Sequence, residues 1–175
     1  YNRSRRVNAA IDCAFAHVLK QAGAPSQVID FSPYGYDERQ YCSPGFNLPV
    51  GCLMRSQHGT FPEYHTSADN LEFVRSEFLA DSFLKCRAVI DLLESNRTYL
   101  NTKPKCEPQL GRRGLYMGLG ADENKREREL ALLWVLNLSD GEHSLLKIAE
   151  RSGLPFALIN EAATALVAAD LLKPC

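Results

Sequence analysis

Apolar residues recur at helical spacing over residues 4 to 22. Val7, Ile11, Ala14, Phe15, Val18 and Leu19 share one face of this predicted helix, and Gly23 supplies a stop. The pattern then shortens. "SQVIDF" reads as a brief buried strand. "SPYGYDERQYCSPGFN" is a Gly- and Pro-rich loop, and "LPVGCLMRS" is a second short apolar strand. Helical periodicity returns from about 70 to 95, where Leu71, Val74, Phe78, Phe83, Ala88, Ile90 and Leu93 form an apolar side. Asp69 is the expected N-cap of that helix, with Glu72 as its capping-box partner. Helix, strand, loop, strand and helix is the rhythm of an α/β fold, a sheet covered by helices.

The segment "NTKPKCEPQLGRRGLYMGLGAD", residues 101 to 122, is punctuated by Pro and Gly and reads as a connection. A domain boundary is therefore expected there, giving domains of 1–118 and 119–175. The C-terminal part carries three helical patterns with short joints. The first covers about 123 to 137, the second ends at Gly153, and the third runs from Pro155 to Leu171. Two short helices joined by a Gly-containing turn form a helix-turn-helix.

Composition narrows the function classes. Hydrophobic residues make up 45% of the 175-residue chain and the formal charge is −1, which gives no global attraction to nucleic acid or to a membrane surface. No apolar run reaches the ~20 residues of a membrane span. No signal peptide opens the chain, which reads as a fragment of a longer, cytoplasmic one. Its six cysteines include no C-x-x-C pair and read as reduced thiols, so the sequon at Asn96 carries no meaning in that compartment.

Two stretches carry candidate chemistry. In "PEYHTSADN", His65 sits in a loop ahead of a helix, where it is open to a ligand role, to a helix-neighbour role, or to none. Loops of this kind hold catalytic side chains in α/β enzymes, and imidazole is a common zinc ligand. In "YDERQY", Asp37 and Glu38 are adjacent carboxylates that are either solvated or available to complete a zinc site begun by a histidine.

"HTSADN" resembles the His-Thr-x-x-Asp-Thr segment of M28-type zinc aminopeptidases. "YDERQY" is similar to their upstream Ser-Asp-His-x-x-Phe segment, with Tyr41 at the aromatic position and 27 residues between Asp37 and His65. "FSPYGYDERQYCSPGFNLPVG", taken with "PEYHTSADN", more closely resembles a bacterial subgroup called aminopeptidase-like proteins. Some of these are associated with polysaccharide biosynthesis, and they carry a C-terminal winged helix similar to "LWVLNLSDGEHSLLKIAERSG". The resemblance implies a mainly parallel, phosphorylase/peptidase-like sheet followed by a winged-helix unit. It implies a zinc hydrolase in which metal-bound water attacks a peptide or amide carbonyl. Asp37 and His65 are the implied zinc ligands, and Tyr64 is an implied hydrogen-bond donor to the oxyanion, a buried structural tyrosine being the alternative.

Two departures stand out. Glu38 replaces the family's histidine, which keeps Glu38 open as the actual ligand, and Asn70 replaces a threonine. The family's His-x-Asp pair, bridging aspartate and Glu-Glu pair lie upstream of the "DER" loop. The 36 residues before Asp37 hold neither a Glu-Glu nor a His-x-Asp, and Asp12 and His17 fall in the first helix. The fragment alone is therefore expected to bind zinc weakly and to hydrolyse nothing, the longer parent being the enzyme. The alternative is a non-catalytic interaction scaffold that keeps the hydrolase fold.

Residues 122–175 carry six basic against nine acidic side chains, a net of −3, and "PFALINEAATALVAADLL" has no Lys or Arg. DNA binding is not expected of such a helix. The expected partners are a peptide or amide substrate, together with a second subunit or another domain of the same chain.

Overall fold

The computed structural model describes residues 1–116 and 123–175. The chain divides into two compact units, Tyr1–Glu94 and Ser95–Cys175. The boundary expected between residues 118 and 119 lies outside the described residues. The division at 94/95 has a physical reason: Thr98–Asn101 is a strand of the second unit's sheet, so the Pro/Gly-rich stretch begins inside that unit.

In the first unit, helix α1 spans Ala10–Gln21 and not the expected 4–22. Val7 stands at φ 61°, a left-handed value that a β-branched residue rarely adopts and that no helix can include. The turn ahead of α1 is tied instead to Asp12, which is 1% exposed. This carboxylate accepts from the Ser4 N–H at 2.7 Å, the Ser4 hydroxyl at 2.6 Å, the Tyr1 hydroxyl at 2.9 Å and the Ala9 N–H at 3.2 Å. Burying a carboxylate is tolerable only with such a set of donors. The buried face of α1 is Ala14, Phe15 and Leu19, with Phe15 stacked on Tyr1 at 4.4 Å. His17 is buried on the same helix, and burial lowers its pKa.

Both predicted strands of this unit are present only as bridges flanking Asn2. Ile29 pairs with it in parallel and Cys52 antiparallel. The Asn2 N–H donates to the Cys52 carbonyl at 2.9 Å, the Cys52 N–H donates back at 3.0 Å, and the Arg3 N–H donates to Ile29 at 3.0 Å. The strand-like segment of residues 1–3 was hidden in sequence because it is too short to show an alternation. Gly51 is required beside it: a Cβ there would overlap the Tyr1 hydroxyl and come within 2.7 Å of the Asn2 carbonyl oxygen.

Helix α2 is the single turn Asp37–Tyr41, and α3 spans Ser76–Ser95. The expected start of α3 near 70 and its Asp69 cap do not form. Residues 66–75 run through tight turns in which the Asn70 side chain accepts from the Glu72 N–H at 2.9 Å, the bond that an N-cap would have made one residue earlier. Only Val89 and Leu92 of α3 are fully buried.

The second unit is a winged helix. Its sheet has the order β2-β1-β3, all antiparallel, from β1 (Thr98–Asn101), β2 (Asp140–Ser144) and β3 (Leu172–Pro174). Three helices accompany it, α4 (Glu123–Leu138), α5 (Leu145–Ser152) and α6 (Phe156–Ala168); α5 and α6 pack against the strands, and α4 packs against both of them. Helices α4 and α5 agree with the sequence periodicity to within a residue, whereas α6 ends at Ala168, three residues before the expected Leu171. Their meeting faces, including Val135, Leu145, Ile148, Ile159, Ala163 and Leu166, are essentially dry. Asn96 is structural: its side-chain oxygen accepts from the Leu146 N–H at 3.0 Å. The parallel sheet expected for the first unit is not among the described elements, whose one extended sheet is the antiparallel sheet of the winged helix. No described helix is long and apolar enough to cross a membrane.

Candidate functional site

The two motif loops meet through their tyrosines. Tyr36, the N-cap of α2, and Tyr64 join hydroxyl to hydroxyl. Each stands one residue from a predicted ligand, Asp37 on one side and His65 on the other. Rings gather around this contact. His58 lies 5.6 Å from both Tyr34 and Tyr36 and 6.4 Å from Tyr64, centroid to centroid. Phe61 packs edge-on to Tyr64 at 5.5 Å and stacks on Phe73 at 5.6 Å. The His65 ring packs edge-on to Tyr64 at 4.1 Å. The hydrogen bond with Tyr36 is the first cause that pushes the Tyr64 phenol up to about 12, so that it stays protonated at any physiological pH.

The local chain explains how His65 is presented. Its backbone is left-handed, φ 59°. Histidine is among the few side chains enriched there, but the conformation still costs on the order of 1 kcal/mol. The turns on either side hold it: the Thr66 hydroxyl donates to the Glu63 carbonyl at 2.9 Å, and the Asp69 N–H donates to the Thr66 carbonyl at 3.1 Å. Among the described residues His65 makes no hydrogen bond, and its imidazole is exposed.

The two carboxylates differ. Asp37 is exposed and engaged by no described residue. Glu38 is half-buried, and its carboxylate accepts from the Tyr36 N–H at 3.2 Å, so it secures the loop's own turn. Burial is the first cause that raises the Cys52 thiol, and the charge of Glu38 adds to it. Tyr41 is exposed and makes no ring contact with the cluster among the described residues. Asp69 neither orients the imidazole nor caps α3.

Among the described residues no three His, Cys, Asp or Glu side chains converge on one point. A catalytic zinc takes three protein ligands, and the described residues bring no such set together. A separate cleft of about 710 Å³ in the first unit is lined by Tyr1, Leu19, Ile29, Arg55, Asp81 and Lys85, among others, and by none of the four predicted site residues.

Sequence reasoning missed His58, Tyr34, Tyr36 and Phe61. The available signal was their density. "SPYGY" and "QHGTFPEYH" place aromatic rings close beside both motifs, which solvent-facing loops rarely do without a purpose.

Residues 97–174 match the winged helix-turn-helix family. A Clostridium acetobutylicum protein named "Putative polysaccharide biosynthesis protein with aminopeptidase-like domain" is 51% identical over 173 residues, which is 99% of this chain and 40% of that protein. A crystal structure of a "putative peptidase" from Clostridium acetobutylicum has a TM-score of 0.89 and 49% identity, covering 99% of this chain and 38% of that one. The chain thus spans about two fifths of the length of these relatives. Residues 1–96, more than half of the chain and nearly the same span as the first compact unit, match the family described as "Domain of unknown function (DUF4910)", and the chain belongs to that family.

Proposed function

We propose that this chain supplies one wall of the active site of a longer, zinc-dependent aminopeptidase-like hydrolase of the M28 type acting on a peptide or amide. The observation that carries the reading is the Tyr36–Tyr64 contact, which joins the two loops bearing the predicted ligands. The names of the relatives, aminopeptidase-like and peptidase, support the same class. Asp37 and His65 are the two donors this chain offers, both exposed and without a hydrogen bond from their side chains among the described residues. Glu38 stands second to Asp37 because its carboxylate already holds a backbone N–H. The remaining ligands and the general base belong to polypeptide outside this chain. The bridges around Asn2 then belong to the mainly parallel sheet of the larger catalytic domain.

When bound, zinc supplies Lewis-acid chemistry. This chain's own contribution is different. The protonated Tyr64 hydroxyl is a donor suited to an oxyanion, and Tyr36 and Phe61 hold the Tyr64 side chain in place. The winged helix serves protein contacts, within the parent chain or with a second subunit. The setting remains the cytoplasm.

A calorimetric zinc titration of the 175-residue chain tests the ligand assignment. Weak binding is expected, abolished by either Asp37→Ala or His65→Ala. Tight binding that survives His65→Ala would remove the basis of the reading. His65→Gly separates the two roles of this position. It relieves the left-handed strain, so stability holds or rises by about 1 kcal/mol, while the zinc response disappears. A second reading is a non-catalytic interaction scaffold that keeps the hydrolase fold. Metal analysis of the full-length Clostridium acetobutylicum relative distinguishes them: stoichiometric zinc supports the enzyme, and its absence supports the scaffold.

A further inference from the structure

Helix α3 has two stripes at the spacing of a packing seam. The first, Phe78, Ser82, Lys85, Val89 and Leu92, is apolar and buried only at its C-terminal end, where Val89 and Leu92 are 1% and 4% exposed, while Phe78 is 41% exposed. The second, Leu79, Phe83, Cys86, Ile90 and Leu93, has the same alternating spacing of four and three residues. That spacing keeps one stripe of a helix against another helix. Yet Leu79, Phe83 and Ile90 are 61%, 64% and 59% exposed, with Cys86 and Leu93 half-buried. The stripe is about 21 Å long at 1.5 Å per residue. Beyond it the surface becomes polar, with Arg87 paired to Asp91 at 3.5 Å, as at the rim of an interface.

We propose that this second seam packs against the part of the longer homologous proteins that this chain does not cover. The inference rests on the reading of the chain as a portion of a larger domain. The matched proteins align with 99% of this chain, which accounts for only 40% and 38% of them. The distribution of exposed side chains favours this occupant over a second copy. Leu84, 63% exposed, lies about 100° around the helix from Phe83, so exposed apolar positions occupy two flanks of α3. Leu71 and Val74, ahead of the helix in sequence, are exposed as well, at 90% and 42%. A pairwise helix seam between two copies would cover one flank and leave Leu84 bare, whereas a larger body enfolding the helix covers both. Single exposed leucines are ordinary, but a contiguous run of this extent is not.

Hydroxyl-radical footprinting of the side chains tests the proposal on two intact proteins, this 175-residue chain and the full-length Clostridium acetobutylicum relative. In this chain Leu79, Phe83, Leu84 and Ile90 are expected to be labelled readily at every protein concentration. At the aligned positions of the relative, labelling should fall to background. Equal labelling in the two proteins overturns the proposal. So does labelling in this chain that is suppressed as its concentration rises, because a second copy would then be the occupant. As an independent check, Leu79→Lys with Phe83→Lys should leave the melting temperature of this chain unchanged and lower that of the relative when introduced at the aligned positions. An equal shift in both would place the seam inside the first unit. None of these readouts depends on zinc or on turnover, so the hydrolase reading and the packing proposal fail separately.

Discussion

At the scale of single residues, the first unit is organised around Asp12. Four donors from Tyr1, Ser4 and Ala9 converge on one buried carboxylate, and removing it leaves two backbone N–H groups and two hydroxyls without their acceptor. Asp12→Ala should cost about 3 kcal/mol, since hydrogen bonds to a charged group are worth more than neutral ones and the orphaned donors are buried. Hydrogen exchange of the Asn2 and Cys52 amides, which sit beside the Tyr1 turn, measures the loss. Asp140 makes a pH prediction. The N–H groups of Glu142 and His143, at 2.8 and 3.1 Å, and then the His143 ring at 2.8 Å, hold its carboxyl down to about 2. A depressed folded-state pKa stabilises the fold above the ordinary carboxylate range and loses that contribution as pH falls from about 4 towards 2. The stability of the second unit, read through the fluorescence of Trp134, should slope downward in that window, and Asp140→Ala should flatten the slope. Legibility was uneven at this scale. The two loops that carry the motif residues meet through Tyr36 and Tyr64. The side chains that make the meeting, Tyr36, Tyr64 and His58, drew attention only at Tyr64, because a lone histidine and two loop tyrosines have no spacing rule to betray them.

At the scale of elements, helices were legible and strands were not. The helices α4, α5 and α6 announce themselves through a 3.6-residue apolar period and clear punctuation. Ser144 accepts from the Lys147 N–H as the N-cap of α5, and Gly153 closes that helix at φ 74°. The strands are three to five residues long, and β2 reads Asp-Gly-Glu-His-Ser, which carries no apolar alternation at all. Such a strand exists because β1 pairs with it, a tertiary cause invisible to local pattern. The ends of α1 and α3 failed for a different reason. Left-handed Val7 and the Asn70 side chain intercept the chain before a helical turn can close, and neither interrupts the apolar period. Gly153 isolates the energetic part of this argument. No atom lies within 4 Å of a Cβ placed there, so Gly153→Ala introduces no clash and only the left-handed conformation is penalised. The substitution should lower stability by about 1 kcal/mol, seen as an earlier Trp134 transition in urea with an unchanged slope.

At the scale of the whole molecule, the winged helix invites the expectation of a DNA reader, and the charges argue otherwise. Nucleic-acid affinity draws first on cations that displace condensed counterions from phosphates, and base reading then draws on Arg, Lys, Asn and Gln. Helix α6, which follows the α5 turn in the position of a recognition helix, buries Phe156, Ile159, Ala162, Ala163 and Leu166. Its exposed positions are Ala157, Glu161, Thr164, Val167 and Ala168, with Asn160 half-exposed and no cation among them. The surrounding 122–175 segment carries a net charge of −3. A mobility-shift assay at low salt is the most severe test, because the electrostatic part of any affinity is largest there. With protein at about 10 μM, a concentration at which ordinary nonspecific DNA binders begin to occupy their sites, no duplex should be retained. Retention that weakens steeply as salt is added would mean that cations outside this segment, such as Arg112 and Arg113, reach the phosphates. Retention of one sequence over others would mean that α6 reads bases despite its composition. Either result would displace protein contact as the role of the second unit. A clean negative would leave the helix-turn-helix arrangement as a packing solution for α5 and α6, whose apolar faces fill the core of that unit.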